Sequence, residues 1–120
     1  MRLDIFKNSR VLVTGHTGFK GSWLVAWLSS LDAIVAGLSN GTPTIPSNYQ
    51  VSNITNLSIN YKTDIRSYSN VHDAVKDFQP DFIFHLAAQA LVRDSYNFPL
   101  RTMEVNALGS ANILEAVKVL

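Results

Sequence analysis

Blocks of apolar residues along this chain alternate with turn-forming clusters, and the apolar period changes from block to block. Val11, Leu12 and Val13 form a short aliphatic run that meets three glycines at Gly15, Gly18 and Gly21; apolar positions then recur at helical spacing as far as Leu31. A short β-branched run bounded by turn residues predicts a strand, over 10–14, and a 3.6-residue period predicts a helix, over 21–30. Leu3, Ile5 and Phe6 lead into that strand. Trp23 and Trp27 share one helix face with Leu24, Leu28 and Leu31 beside them. Core packing against a sheet is the expectation for the two tryptophans, with a binding box as the alternative.

The rest of the chain follows the same logic. Residues 33–38 (AIVAGL) are apolar on both faces, as a parallel strand tends to be. Residues 41–56 are rich in Pro, Ser, Thr and Asn and predict a loop with a helical turn around 49–54; a third short strand follows over 58–62. Val71, Ala74, Val75 and Phe78 recur at helical spacing, predicting an amphipathic helix over 67–78 that starts at Ser67 and ends at Gln79-Pro80-Asp81. Residues 81–86 read as a fourth strand, 91–99 as a loop and 100–120 as a long helix. Met103, Ala107, Ser110 or Ala111, Leu114 and Val117 are expected on that helix's buried face. Gly109 lies inside it at a cost of roughly 1 kcal/mol against alanine, which close packing against the sheet would offset.

This order calls for a parallel sheet with right-handed crossovers. The predicted fold class is α/β, a Rossmann-type doubly wound sheet in strand order 3-2-1-4, forming one NAD(P)-binding domain over residues 1–120. Such a sheet normally continues with further strands. The chain stops on Val117-Lys118-Val119-Leu120 without a helix stop signal, so the expectation is the N-terminal portion of a longer protein, with the catalytic and substrate-binding parts absent.

Composition narrows the classes. Hydrophobic residues make up 47% of the 120, enough for a core; the net charge of +1 gives no electrostatic case for nucleic acid or an anionic membrane. There is no cysteine, which excludes disulfides and thiolate chemistry. Residues 1–10 alternate polar and apolar without a signal core, and no apolar run approaches the about 20 residues that span a bilayer. The expectation is a cytoplasmic protein. Sequons at Asn40, Asn53 and Asn56 read as chance, and His16, His72 and His85 lack metal-ligand spacing.

The candidate chemistry sits on the glycines. Strand, glycine turn and helix open a dinucleotide-binding βαβ unit, here spaced G-x-x-G-x-x-G rather than G-x-G-x-x-G. Gly15 turns the chain off the strand, Gly18 admits a diphosphate to the backbone, and Gly21 allows close helix packing. The helix start offers unpaired amides to an anion. His16 and Lys20 would add positive charge there, and Thr17 and Ser22 would offer hydroxyls. A P-loop does not fit, and a tight turn that binds nothing is the alternative.

After the second strand the chain reads Ser39-Asn40-Gly41-Thr42, with neither an acid for the ribose nor any Arg or Lys before Lys62 for a 2′-phosphate. Ser39 or Asn40 is left to meet the ribose, which favours NAD over NADP. Asp64 is a candidate acceptor for the adenine amino group, with Ile65 covering the ring, or a cap for the next helix. The small residues Ala87, Ala88 and Ala90 leave room for a nicotinamide ribose. His85 reads as a hydrogen-bonded core residue rather than a catalytic group.

Four segments then resemble one family: TGHTGFKGSWL (14–24), DIR (64–66), FHLAAQALVRDSY (84–96) and NALGSANILEAV (106–117) are similar to extended short-chain dehydrogenases/reductases. The fuller strings most resemble the CDP-glucose 4,6-dehydratase branch. The resemblance implies a lyase of O-antigen and related deoxysugar synthesis that uses NAD to oxidise C4 of a nucleotide sugar, eliminates water across C5–C6 and returns the hydride to C6. It implies that Gly15, Thr17, Gly18, Phe19 and Gly21 hold the NAD diphosphate, that Asp64 and Ile65 meet adenine, and that Leu86, Ala87, Ala88 and Gln89 line the nicotinamide-ribose side. Asn106 would brace the sheet.

The family's chemistry also needs a Tyr-x-x-x-Lys pair. The residues four after Tyr49, Tyr61, Tyr68 and Tyr96 are Asn53, Ile65, His72 and Leu100. No catalytic residue is therefore assigned, and the chain is not expected to turn over substrate alone. A nucleotide sugar, CDP-glucose by resemblance, is the implied partner, and homo-oligomerisation is left open. The competing readings are a non-catalytic dinucleotide sensor and an epimerase acting on UDP-sugars.

Overall fold

The computed structural model describes residues 3–120; Met1 and Arg2, the start of the alternating lead-in, lie outside the described residues. Strands β1 (Arg10–Thr14), β2 (Ile34–Ser39), β3 (Ile59–Lys62) and β4 (Phe82–His85) form one parallel sheet in the order β3-β2-β1-β4. The fold is the expected Rossmann-type α/β sheet. All four carboxyl ends point to the same edge, and the strand order reverses between β1 and β4, the kind of switch point at which such sheets hold ligands.

Alternation along β1 builds both layers of the core. Leu12 faces Val71, Ala74, Val75 and Phe78 of α3 (Tyr68–Phe78), joined by Ile113 and Ala116 of α6 (Gly109–Ala116). Val11 and Val13 face Val25 and Leu28 of α1 (Phe19–Ser30), with Tyr49 of α2 (Asn48–Val51) and Ile54 closing the layer. The apolar spacing of α3 thus places all four expected residues inside.

Three expectations fail, each for a local reason. In α1 the residues against the sheet are Gly21, Ser22, Val25 and Leu28, while Trp23 and Trp27 are 59% and 48% exposed. The helix is apolar nearly all round, so periodicity does not choose the face; the small Gly21 and Ser22 let it sit close, and the tryptophans turn outward. The expected loop at 91–99 contains α4 (Val92–Asn97), because nothing before Pro99 breaks a helix. Phe98, constrained by Pro99, interrupts it before α5 (Pro99–Met103).

The long C-terminal helix is present, but its middle turn, Glu104–Leu108, is a π-helix. The buried face of α6 is the one that carries Gly109, with Asn112, Ile113 and Ala116, while Met103 before the π-turn and Leu114 after it are both exposed. Gly109 does pack closely, although its partner is Ile65 just after β3: a Cβ at Gly109 would lie 2.6 Å from Ile65 Cδ1.

Candidate functional site

The connection from β1 to α1 is set by its backbone. Gly15 has φ +69°, and a Cβ there would stand 2.8 Å from Ala87 N, so the glycine turn and the loop after β4 touch. A Cβ on Gly21 would fall 2.2 Å from the Gly15 carbonyl oxygen. Gly18 differs: its Cβ would meet only that same oxygen, at 3.2 Å. Gly18 is the N-cap of α1 and no side chain caps the helix. The first helical amide to find a partner is Ser22 N, on Gly18 O. The amides of Phe19, Lys20 and Gly21 are left at the positive end of the helix dipole.

These amides open into a crevice of about 840 Å³ that runs along the carboxyl edge of the sheet, within the usual size range of a cofactor site. Gly15, Thr17, Gly18, Phe19, Lys20 and Gly21 form one wall. Ser39 and Asn40 follow at the end of β2, and Asp64 and Ile65 at the end of β3. Leu86, Ala87, Ala88 and Gln89 line the side beyond β4. A single hollow thus gathers all of these sequence-selected residues from four connections.

His16 is the exception. It is 2% exposed and lies beneath β2, where a Cβ on Gly37 would come within 2.1 Å of its ring. Its Nε2 bonds Asn60 Oδ1 (2.9 Å), and its ring meets Tyr49 edge-on. Burial lowers its pKa, so it adds no charge to the glycine turn. Positive charge at the crevice comes instead from Lys20 and from Arg101 of α5.

The hydroxyls are committed as well. Ser22 is fully buried, donating to Phe19 O and accepting from Asn48 Nδ2. Thr17 donates to Gly41 O (2.6 Å), tying the glycine turn to the segment after β2. Gly41, Thr42 and Pro43 consequently form crevice wall, for which the only sequence signal is the turn-forming Asn40-Gly41 pair. Arg101 and Val105 also line the crevice; nothing in their spacing sets them apart from other helical surface positions.

Asp64 does not cap α3, whose N-cap is Ser67 without a side-chain bond. Its carboxylate instead accepts from Arg66 N (2.9 Å) and from the Arg66 guanidinium, with Nη2 at 2.7 Å. These bonds hold its pKa below the ordinary carboxylate range. Arg66 also reaches Glu104 at 3.5 Å, so this cation is already paired. Ile65 is only 4% exposed, with its side chain directed at Gly109; it closes the crevice floor rather than standing open as a platform for a ring. Asn106 braces the loop after β4, accepting from Gln89 N (2.7 Å) and donating to Gln89 O (3.0 Å).

A doubly wound sheet with a glycine turn and an uncapped helix start facing its switch point defines a Rossmann-type nucleotide-cofactor domain. Residues 12–120 match the family model described as GDP-mannose 4,6 dehydratase, and the chain belongs to that family. CDP-glucose 4,6-dehydratase of Salmonella typhimurium is 42% identical over 115 residues, which cover 96% of this chain and 32% of that protein. GDP-mannose 4,6-dehydratase of Vibrio cholerae is 32% identical, over 92% of this chain and 32% of the relative. Among solved structures, the UDP-glucose 4-epimerase of Thermus thermophilus in complex with NAD superposes with a TM-score of 0.81 at 37% identity, over 91% of this chain and 33% of that one. The chain spans about a third of the length of the relatives it matches. These relatives are nucleotide-sugar dehydratases and epimerases.

Proposed function

We propose that residues 1–120 form the NAD-binding part of a cytoplasmic nucleotide-sugar 4,6-dehydratase whose substrate is CDP-glucose. The observation that carries this is the convergence of the glycine turn and the ends of all four strands on one crevice. The cradle fits a dinucleotide: Gly18 leaves its wall open, and the amides of Phe19, Lys20 and Gly21 point to an anion. NAD is favoured over NADP because 39–43, the segment that follows β2, carries no cation, and Arg66 is held by Asp64 and Glu104. Ser39 and Asn40 are then the groups that meet the adenosine ribose.

In this reading the glycine turn binds the diphosphate, Asp64 at the end of β3 meets adenine, and Ala87 and Ala88 allow close approach of the nicotinamide ribose. NAD, when bound, supplies the acceptor for the hydride of sugar C4 and its return to C6. This chain's residues bind and orient; the Tyr-x-x-x-Lys pair that moves the C4 hydroxyl proton has no counterpart in this sequence. The support for CDP-glucose is the 42% identity to the Salmonella enzyme.

The Thermus epimerase, at 37% identity, keeps an epimerase as the second reading. The two differ in where the hydride goes. The protein carrying this chain, given NAD and CDP-glucose deuterated at C4, is expected to yield a 4-keto-6-deoxy product with deuterium at C6. Deuterium retained at C4 of an inverted sugar would contradict the dehydratase.

A further inference from the structure

His85 is a half-buried titratable group that the proposed chemistry leaves without a task. It ends β4, half-buried, between two hydroxyls: Thr14 Oγ1 lies 2.6 Å from Nδ1 and Ser110 Oγ lies 3.0 Å from Nε2. The direction of each bond follows from the neighbours. The Ser110 hydroxyl donates its one hydrogen to Asn106 O (2.7 Å), so toward His85 it can only accept, and Nε2 carries the proton. Thr14 Oγ1 accepts from Ala87 N (3.1 Å) and shares the Leu86 N–H with the Thr14 backbone oxygen (3.1 Å to Oγ1, 3.2 Å to O), which occupies its lone pairs and leaves its hydrogen for Nδ1. Every member is satisfied only when the ring is neutral with hydrogen on Nε2. Burial, the sole cause acting on its pKa, works toward the same neutral form. Thr14 and Ser110 are uncharged.

The bonds run on through Asn106 to both backbone groups of Gln89. The circuit therefore starts and ends on the segment 86–89, the crevice wall beyond β4, and passes through Thr14, the residue before Gly15. We infer that His85 is a positioning residue: as the Nε2–H tautomer it orients the Thr14 hydroxyl, which holds the Leu86 and Ala87 amides and so fixes the wall on which the nicotinamide ribose would rest. This rests on the proposed cofactor reading for its consequence, but not for its geometry.

The ¹⁵N resonances of the His85 ring decide the circuit directly. At neutral pH the expected signature is a protonated Nε2 and an unprotonated Nδ1; the reverse pattern, or a doubly protonated ring, overturns the inference. Hydrogen exchange of the Ala87 amide reads the wall itself without any ligand. Thr14→Val and His85→Leu are each expected to speed that exchange and to weaken NAD about tenfold, the loss typical of one buried donor left without a partner. His85→Asn, which returns an acceptor to Thr14, should restore most of the protection.

A folded Thr14→Val whose Ala87 amide exchanges as in wild type would sink the inference. Should Thr14→Val not fold, the ring resonances and the His85→Asn comparison still decide. Wild-type protein that shows the expected tautomer and amide protection but binds no NAD would refute the cofactor reading and leave the positioning of the wall standing.

Discussion

The three glycines of the turn look alike in sequence and act differently in space. A Cβ at Gly21 collides with backbone, 2.2 Å from the Gly15 oxygen, whereas a Cβ at Gly18 meets that oxygen at 3.2 Å. Gly21→Ala must therefore move α1 off the strand and is expected to lower stability by about 1–3 kcal/mol, as overpacking does; urea denaturation measures it. Gly18→Val should cost less stability than Gly21→Ala yet lose NAD, because the added side chain projects where the diphosphate would lie. Unchanged NAD affinity in that variant removes the phosphate role from Gly18. The residue scale also shows what sequence conceals. His16 sits inside the glycine motif, and its neighbours in sequence suggest a phosphate ligand. Only the pairing of β2 with β1, which brings Gly37 over it, and of β3 with β2, which brings Asn60, reveals a core residue.

At the scale of elements, legibility follows how strongly a pattern constrains a face. In α3 polar and apolar residues separate cleanly, and all four expected residues are buried. In α1 apolar residues surround the helix, and the tryptophans face away from the core that their spacing suggests. The C-terminal helix departs for another reason: apolar residues lie on more than one of its faces, and the face turned inward carries Gly109, Asn112, Ile113 and Ala116 rather than Met103 and Leu114. That choice of face can be tested. Ile113→Ala, at 4% exposure, is expected to cost about 2–5 kcal/mol, and Leu114→Ala, at 69% exposure, about 0.5 kcal/mol or less. Burial of the face expected from the sequence would give the larger loss at Leu114; chemical denaturation of the two variants distinguishes the cases. The crevice wall at 41–43 is not legible in the sequence because the Thr17–Gly41 bond that holds it joins residues far apart in the chain.

Across the whole molecule, one buried and one half-buried histidine make stability depend on pH. His16 and His85 both have pKa values lowered, burial being the first cause in each. The unfolded chain takes up protons at an ordinary pKa of about 6.5, before the folded chain does. Their effect on stability is therefore flat above about pH 6.5, with loss setting in below it and complete once pH has fallen past the folded pKa values. Asp64 acts in a lower window: its depressed pKa contributes stability above about pH 3.9 that is lost as pH falls through the folded value, and its partial exposure keeps the contribution small. Urea midpoints should decline from roughly pH 7.5 to pH 5.5, and His85→Asn should flatten part of that decline. A midpoint that rises over this interval would contradict the neutral state of both rings.

The crevice at the carboxyl edge of the sheet, as a dinucleotide site, is tested by calorimetric titration of the purified chain with NAD and, separately, NADP. Saturable binding of NAD, weaker binding of NADP, and loss of both in Gly18→Val are expected. A folded chain that takes up neither, or that prefers NADP although 39–43 carries no cation, would contradict that assignment.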